Sequence, residues 1–287
     1  IKREALVTRA NSMAFSFFLS LFPFIIALIT LLPYFQKYII SHLPLENTAF
    51  YETTSVEVIL EKLKLNFAEF IPVGVFNTIA DVATNPRPGL LSFGFILAIF
   101  FGSNGMMALM RGFEKSYKST FRKRSVVRKR LVAIYLTFLI AFMLVASIIL
   151  VILGQNMMNW LLDYMNAGSF GAFSIQLIRW MVILALFYMG IAVIYRYGSA
   201  TIKPFTLISP GTTLATVLSI LSSLGFSFYV KEFDTYNQLY GYIGTIIVIM
   251  LWIQINAFNL LIGFELNASI AVNRDIKALK GEKDEDD

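Results

Sequence analysis

The chain has 287 residues, 57% of them hydrophobic and only 15% charged, with a net charge of +6 and no cysteine. Soluble domains carry about 25% charged residues, so this balance and a mean hydropathy of +0.69 read as an integral membrane protein. The absence of cysteine excludes disulfides and thiolate metal sites, and the membrane class makes the basic excess a matter of topology rather than nucleic-acid binding.

A helical span needs about 20 apolar residues. Six runs reach that length, at residues 11–35, 90–110, 131–153, 175–196, 210–230 and 242–268. The expected fold is all-α and polytopic: a six-span membrane domain over 1–272, then a charged, disordered tail over 273–287 ending "GEKDEDD". The first run exceeds the 7–15 residue core of a signal peptide and lacks a small-residue cleavage site, so it reads as a retained helix. Pro23 within it removes one backbone hydrogen bond and predicts a kink.

Residues 36–89 follow as the longest non-spanning segment. Two stretches, "TAFYETTSVEVILEKLKLNF" and "EFIPVGVFNTIADVAT", alternate apolar and charged positions at helical spacing. In the first, Val56, Ile59, Leu60, Leu63 and Phe67 share a face. The segment holds six acids against four bases, unlike the Lys/Arg-rich face of an anionic-lipid binder. It reads as short amphipathic helices capping the outer end of the bundle.

In the second span, Gly94, Ala98, Gly102, Gly105, Ala108 and Gly112 line up at 100° per residue. Small residues let membrane helices approach closely, so this stripe predicts a helix contact. Between Arg111 and Arg130, twenty positions then hold nine Lys/Arg and a single acid, Glu114. Short Lys/Arg-rich loops stay on the cytoplasmic side. Placing the N-terminus inside puts eighteen of the 24 Lys/Arg on the cytoplasmic side and six outside, with both termini cytoplasmic. The third span carries no charge and suits lipid. The fifth opens with Ser209, a capping type, and Pro210, which fits a first helical turn.

The last span is the polar one. Asn256, Asn259, Gly263 and Asn267 share one helical face, and Gln254 and Glu265 share the opposite one. A helix polar on two faces belongs in the centre of the bundle. Glu265 is either a proton- or cation-linked site or a structural carboxylate near the cytoplasmic end, bridged by a base such as Arg111. Further polar candidates are Asn104, placed to bond between helices; Arg111, able to meet a lipid phosphate or snorkel to the interface; Arg179, placed to pair with Asp163; and Asp234 and Asn237 in "DTYNQLYG", read as a tight outer hairpin.

Catalytic chemistry finds little here. The one histidine, His42, leaves no second imidazole for a zinc site. The acids are scattered, and no phosphate-binding GxxxxGK[ST] occurs. No cofactor, metal or enzymatic role is expected.

The stretch "PGTTLATVLSILSSLGFSFYVKEFDTYNQLYGYIGTIIVIMLWIQINAFNLLIGFELNA" resembles the C-terminal half of the YihY/BrkB family of bacterial inner-membrane proteins. The matching pieces are Pro210-Gly211-Thr212, Phe226 to Val230, Tyr236-Asn237 with Tyr240-Gly241, and Gly263 to Asn267. Upstream, "FSFFLSLFPF", "SNGMMALMRGFEKSY" and the basic hairpin are similar too. Thr212 stands where the family often has Ala, and "YRYGSATIKP" lengthens the family's usual Tyr-Arg-x-x-Pro. The resemblance implies a six-span inner-membrane fold and draws Tyr236 into the candidate set. It also carries an old ribonuclease BN label, which these residues do not support chemically, and associations with serum resistance, lipid export and Na⁺/H⁺ exchange. The expected function is a transport-type protein handling a lipid or other amphiphilic envelope molecule, with membrane lipids as partners, no nucleic acid, and homo-oligomers allowed. Cation/proton antiport and a non-transporting scaffold for an envelope partner are the alternatives.

Overall fold

The computed structural model describes residues 3–35, 60–61, 73–85, 88–115, 117, 119–165, 169–232 and 234–285. Among them are seven helices: α1 (Arg3–Phe35), α2 (Val73–Thr84), α3 (Pro88–Gly112), α4 (Val126–Met165), α5 (Ser169–Val193), α6 (Pro210–Glu232) and α7 (Asp234–Glu285). Six are long and apolar enough to cross a membrane, and the expected all-α, six-span fold is what the chain forms. Backbone polar groups find no water in a hydrocarbon layer, so spanning segments close their hydrogen bonds within a helix.

α7 lies between α1 and α6, and α3 packs along α1 on one side and against α4 on the other. The small residues of α3 serve both contacts. A Cβ on Gly94 would meet Ile26, one on Gly105 would meet Phe17 and one on Gly112 would meet Met13, all in α1, whereas one on Gly102 would meet Thr137 in α4. α1 runs through Pro23, which is buried, without a break in the helix.

The buried core is concentrated at one end, where the bases gather. Phe113, just past α3, stacks on Phe264 of α7 with centroids 4.3 Å apart. Tyr195, Phe121 and Phe205 crowd the same ring. Residues 119–125 are stitched to the loop after α5: the Arg122 N–H donates to the Ala200 carbonyl at 2.8 Å and that of Ile202 to the Thr120 carbonyl at 2.9 Å. Phe121 and Thr201 form an isolated bridge. α5 itself ends in a π-turn, Ile194–Gly198. At the opposite end, Leu60 and Ala83 are buried with Ile29 of α1, so what is described of the capping segment rests on the bundle. Most of that first amphipathic stretch, including Val56, Ile59, Leu63 and Phe67, lies outside the described residues, as does His42.

Two expectations are corrected. Residues 234–241 are helical, forming the first turns of α7 rather than a tight hairpin. Asp is a favoured residue at a helix start, and no Gly or Pro follows until Gly241. The segment 273–285, read as a disordered tail, continues α7 as helix. Its Ala, Lys and Glu content favours helix, and the Thr120 hydroxyl donates to the Asp275 carboxylate at 2.8 Å, anchoring the extension to the basic loop.

Candidate functional site

Glu265 sits on α7 at the basic end with its side chain 10% exposed. Lys115, three residues past the end of α3, donates to both carboxylate oxygens. The Arg9 guanidinium of α1 lies 3.7 Å away and also reaches the Gly112 carbonyl at 3.5 Å. One carboxylate thereby ties α1, the end of α3 and α7 together. Arg111, expected as its partner, is instead exposed and makes no ion pair among the described residues. The helical phase of α3 stops at Gly112, and the loop beyond it swings Lys115, not Arg111, to the acid. Desolvating a carboxylate is tolerable only when a cation and hydrogen bonds replace water, and Lys115 provides both.

The polar faces of α7 are bonded to its two neighbours. Towards α6, Asn259 donates to the Ser222 hydroxyl at 2.8 Å. Asn267 donates to the Ser209 hydroxyl and accepts from the Gly211 N–H, each at 2.8 Å. Ser209 caps α6 as its residue type predicts, accepting from the Thr212 N–H at 3.3 Å, and Asn267 satisfies another of the free N–H groups of that first turn. Towards α1, Gln254 donates to Asn11 at 2.6 Å. Asn256 turns back onto its own helix, donating to the Trp252 carbonyl at 2.9 Å.

Asn104 does bond between helices: it accepts from Arg130 of α4, whose guanidinium also lies 5.1 Å over the Phe100 ring. Arg179 is half-buried in α5, and the side chain of its expected partner Asp163 lies outside the described set. So do the side chains of Asp234, Tyr236 and Asn237.

Three residues escaped the sequence reading. Tyr195 of the π-turn donates to the Leu260 carbonyl of α7 at 2.6 Å. Arg124 donates to the carbonyls of Tyr197 at 2.9 Å, Gly198 at 3.2 Å and Ser199 at 2.8 Å, holding C=O groups that a helix end leaves unpaired. Burial, then the charges of Arg122 and Arg128, press its pKa below the usual arginine value. Arg9 is the third. Its signal was one more base before the first span, indistinguishable from a topology determinant.

Each acid whose side chain is described at this end has a partner: Glu265 has Lys115, Glu114 has Lys129, and Asp275 has Thr120 and Arg274. Arg111, Arg122, Lys123 and Arg128 have no acid among the described residues. Around them lie a cleft of about 320 Å³ lined by Arg122, Arg124, Arg128, Leu131, Tyr135 and Tyr197, and one of about 410 Å³ reaching Lys115, Lys123 and Lys129. A third, of about 200 Å³, opens onto Glu265 itself. No three His, Asp or Glu gather into a metal-ligand group among the described residues.

The family model for "Virulence factor BrkB" matches residues 1–287. The chain belongs to the BrkB family. It is 29% identical over 265 residues to the "Putative ribonuclease-like protein YfkH" of Bacillus subtilis, covering 91% of this chain and 88% of that one. A UPF0761 membrane protein of Xanthomonas axonopodis pv. citri is 30% identical over 91 residues, 32% of this chain but only 22% of the relative. Another, from Tolumonas auensis, is 26% identical over 133 residues, 46% of this chain and 43% of the relative. No solved structure matches the chain. This BrkB-family chain is a multi-pass membrane protein.

Proposed function

We propose that the chain is a bacterial inner-membrane protein of transport type, handling a lipid or other amphiphile whose anionic group meets the basic end. The observation that carries this reading is the distribution of charge. The buried acid and the amides of Gln254, Asn259 and Asn267 are engaged in holding helices together, whereas Arg111, Arg122, Lys123 and Arg128 are cations with no acid among the described residues. A phosphate headgroup needs such donors. The test is reconstitution of the full chain in vesicles, scoring movement of an anionic lipid and ion flux side by side. Arg111→Gln is expected to slow lipid movement, while Glu265→Gln lowers stability without a selective flux defect. Ion flux that vanishes in folded Glu265→Gln, with lipid movement absent throughout, would reverse the assignment.

One observation favours the cation/proton antiport reading: the carboxylate of Glu265 lines a cleft of about 200 Å³ with Lys115, Tyr117 and Asn273, so water or a small cation can reach it. The same flux measurement separates the two.

The orientation we propose has both termini and residues 111–130 in the cytoplasm. The eighteen-to-six asymmetry supports it, and so does the folding of the α1 start, the basic loop and the extension of α7 into one end. A cysteine placed at exposed Ser125 should resist an impermeant thiol reagent applied to intact cells; labelling from outside would overturn the topology. We also propose that the chain has no ribonuclease activity of its own, because one histidine and scattered acids assemble no familiar metal site.

A further inference from the structure

The 320 Å³ cleft beside the π-turn has two chemically different halves. One holds three guanidinium groups, Arg122, Arg124 and Arg128, with no acid in the lining. Arg124 is held in place by three carbonyls of the π-turn region, and its buried Nε has no partner. Arg122 and Arg128 have no acid among the described residues. Burial first, and then the charges of Arg122 and Arg128, lower the pKa of Arg124, and an anion among the three guanidinium groups would offset their mutual repulsion.

The other half is apolar and belongs to α4. Arg128, Leu131, Val132 and Tyr135 recur at helical spacing on one face. Leu131 and Tyr135 are more than half exposed. Tyr135 meets Tyr197 edge to face with centroids 5.9 Å apart, an aromatic pair of the kind that sits at the headgroup level of a bilayer. Arg128 and Tyr135 are separated by roughly 10 Å along the helix at 1.5 Å per residue. A phosphate held at Arg128 therefore leaves Tyr135 alongside the upper part of an acyl chain rather than the headgroup.

We propose that this cleft binds one anionic phospholipid, its phosphate between Arg122 and Arg128 and its acyl chain along Leu131, Val132 and Tyr135. The proposal deepens the lipid-handling reading and rests on it. A free inorganic or organic phosphate would satisfy the guanidinium groups but leaves the Leu131–Tyr135 wall without a purpose, so the bilayer lipid is the better fit.

The experiment is native mass spectrometry of the purified full chain in detergent, titrated with phosphatidylglycerol and, separately, with phosphatidylcholine. The wild type should retain phosphatidylglycerol preferentially. The Arg122→Gln/Arg128→Gln pair should weaken that retention about tenfold or more, because each basic group near an anionic headgroup contributes several-fold. Lys203→Gln/Lys277→Gln removes two exposed cations outside the cleft lining and should change nothing. If the double variant fails to fold, Arg128→Gln alone carries the test. Tyr135→Ala should weaken the lipid but not glycerol phosphate. Equal retention of both lipids by the wild type, equal loss in the lysine control, or displacement of the lipid by millimolar inorganic phosphate would each overturn the site, even if lipid moves in vesicles. Selective lipid binding together with no lipid movement in vesicles would overturn the transport reading and leave the site standing.

Discussion

Lys115→Met is expected to lower stability by about 3 kcal/mol, because it leaves a buried carboxylate without its main cation. The side chain of Lys115 is 17% exposed and that of Glu265 10%, and Arg9 at 3.7 Å compensates only in part. Unfolding of the purified protein in detergent, followed by heat or denaturant, measures the change. Glu265→Gln should cost less, since it removes the charge and keeps the shape and hydrogen-bonding capacity. The double replacement Lys115→Met/Glu265→Leu should recover most of the loss, as buried pairs exchanged for apolar residues of similar volume are often neutral or better. A Lys115→Met protein as stable as the wild type would show that the pair does not hold α3 to α7.

Gly263→Ala is expected to be at least as damaging, by about 3 kcal/mol, the upper end of what overpacking usually costs. α6 and α7 cross here with backbone almost touching backbone. A Cβ on Gly263 would stand 2.5 Å from the Tyr195 hydroxyl and 2.6 Å from the Ala215 methyl, and closer still to the Gly211 carbonyl. The backbone cannot swing aside as a flexible side chain would, so the helices must separate. Separation would also pull Asn267 from the α6 start and Tyr195 from the Leu260 carbonyl. Gly225→Ala, on the same helix pair but facing open space, is the control: it should be neutral or add about 0.5 to 1 kcal/mol through helix propensity. Similar losses in the two variants would mean that the crossing is not the constraint.

The contrast between these sites shows what the chain discloses by itself. Periodicity was enough to find the spans and the two polar faces of α7, because hydrophobic length and helical phase are written residue by residue. Asn259 and Asn267 facing one neighbour and Gln254 and Glu265 facing another follow directly from 100° per residue. Phase carries no information past a helix end, so Lys115 was hidden among nine bases while Arg111 looked the better partner. Arg124 was hidden for another reason: its three carbonyl acceptors exist only because α5 widens into a π-turn, which leaves no periodic mark. Residues 234–241 went wrong because Asn237 and Gly241 were read as turn residues, whereas Asp234 suits a helix start and no Gly or Pro interrupts the run before Gly241. The charged extension after Asn273 went wrong because charge alone was read as disorder, when a long helix already in place extends readily.

The contacts that close the basic end join residues far apart in the chain: Lys115 and Glu265 are 150 positions apart and Asn11 and Gln254 are 243. A protein emerging from the ribosome in order therefore holds its first helix, with Arg9 and Asn11, for nearly the whole of synthesis before α7 arrives. Until then those side chains have only water, headgroups or a helper protein to satisfy them. Such long-range closure is slow and exposes the intermediate to wrong pairings. The final helix thus acts as the keystone of biogenesis, and an interrupted chain lacking it leaves the earlier spans inserted but unfastened.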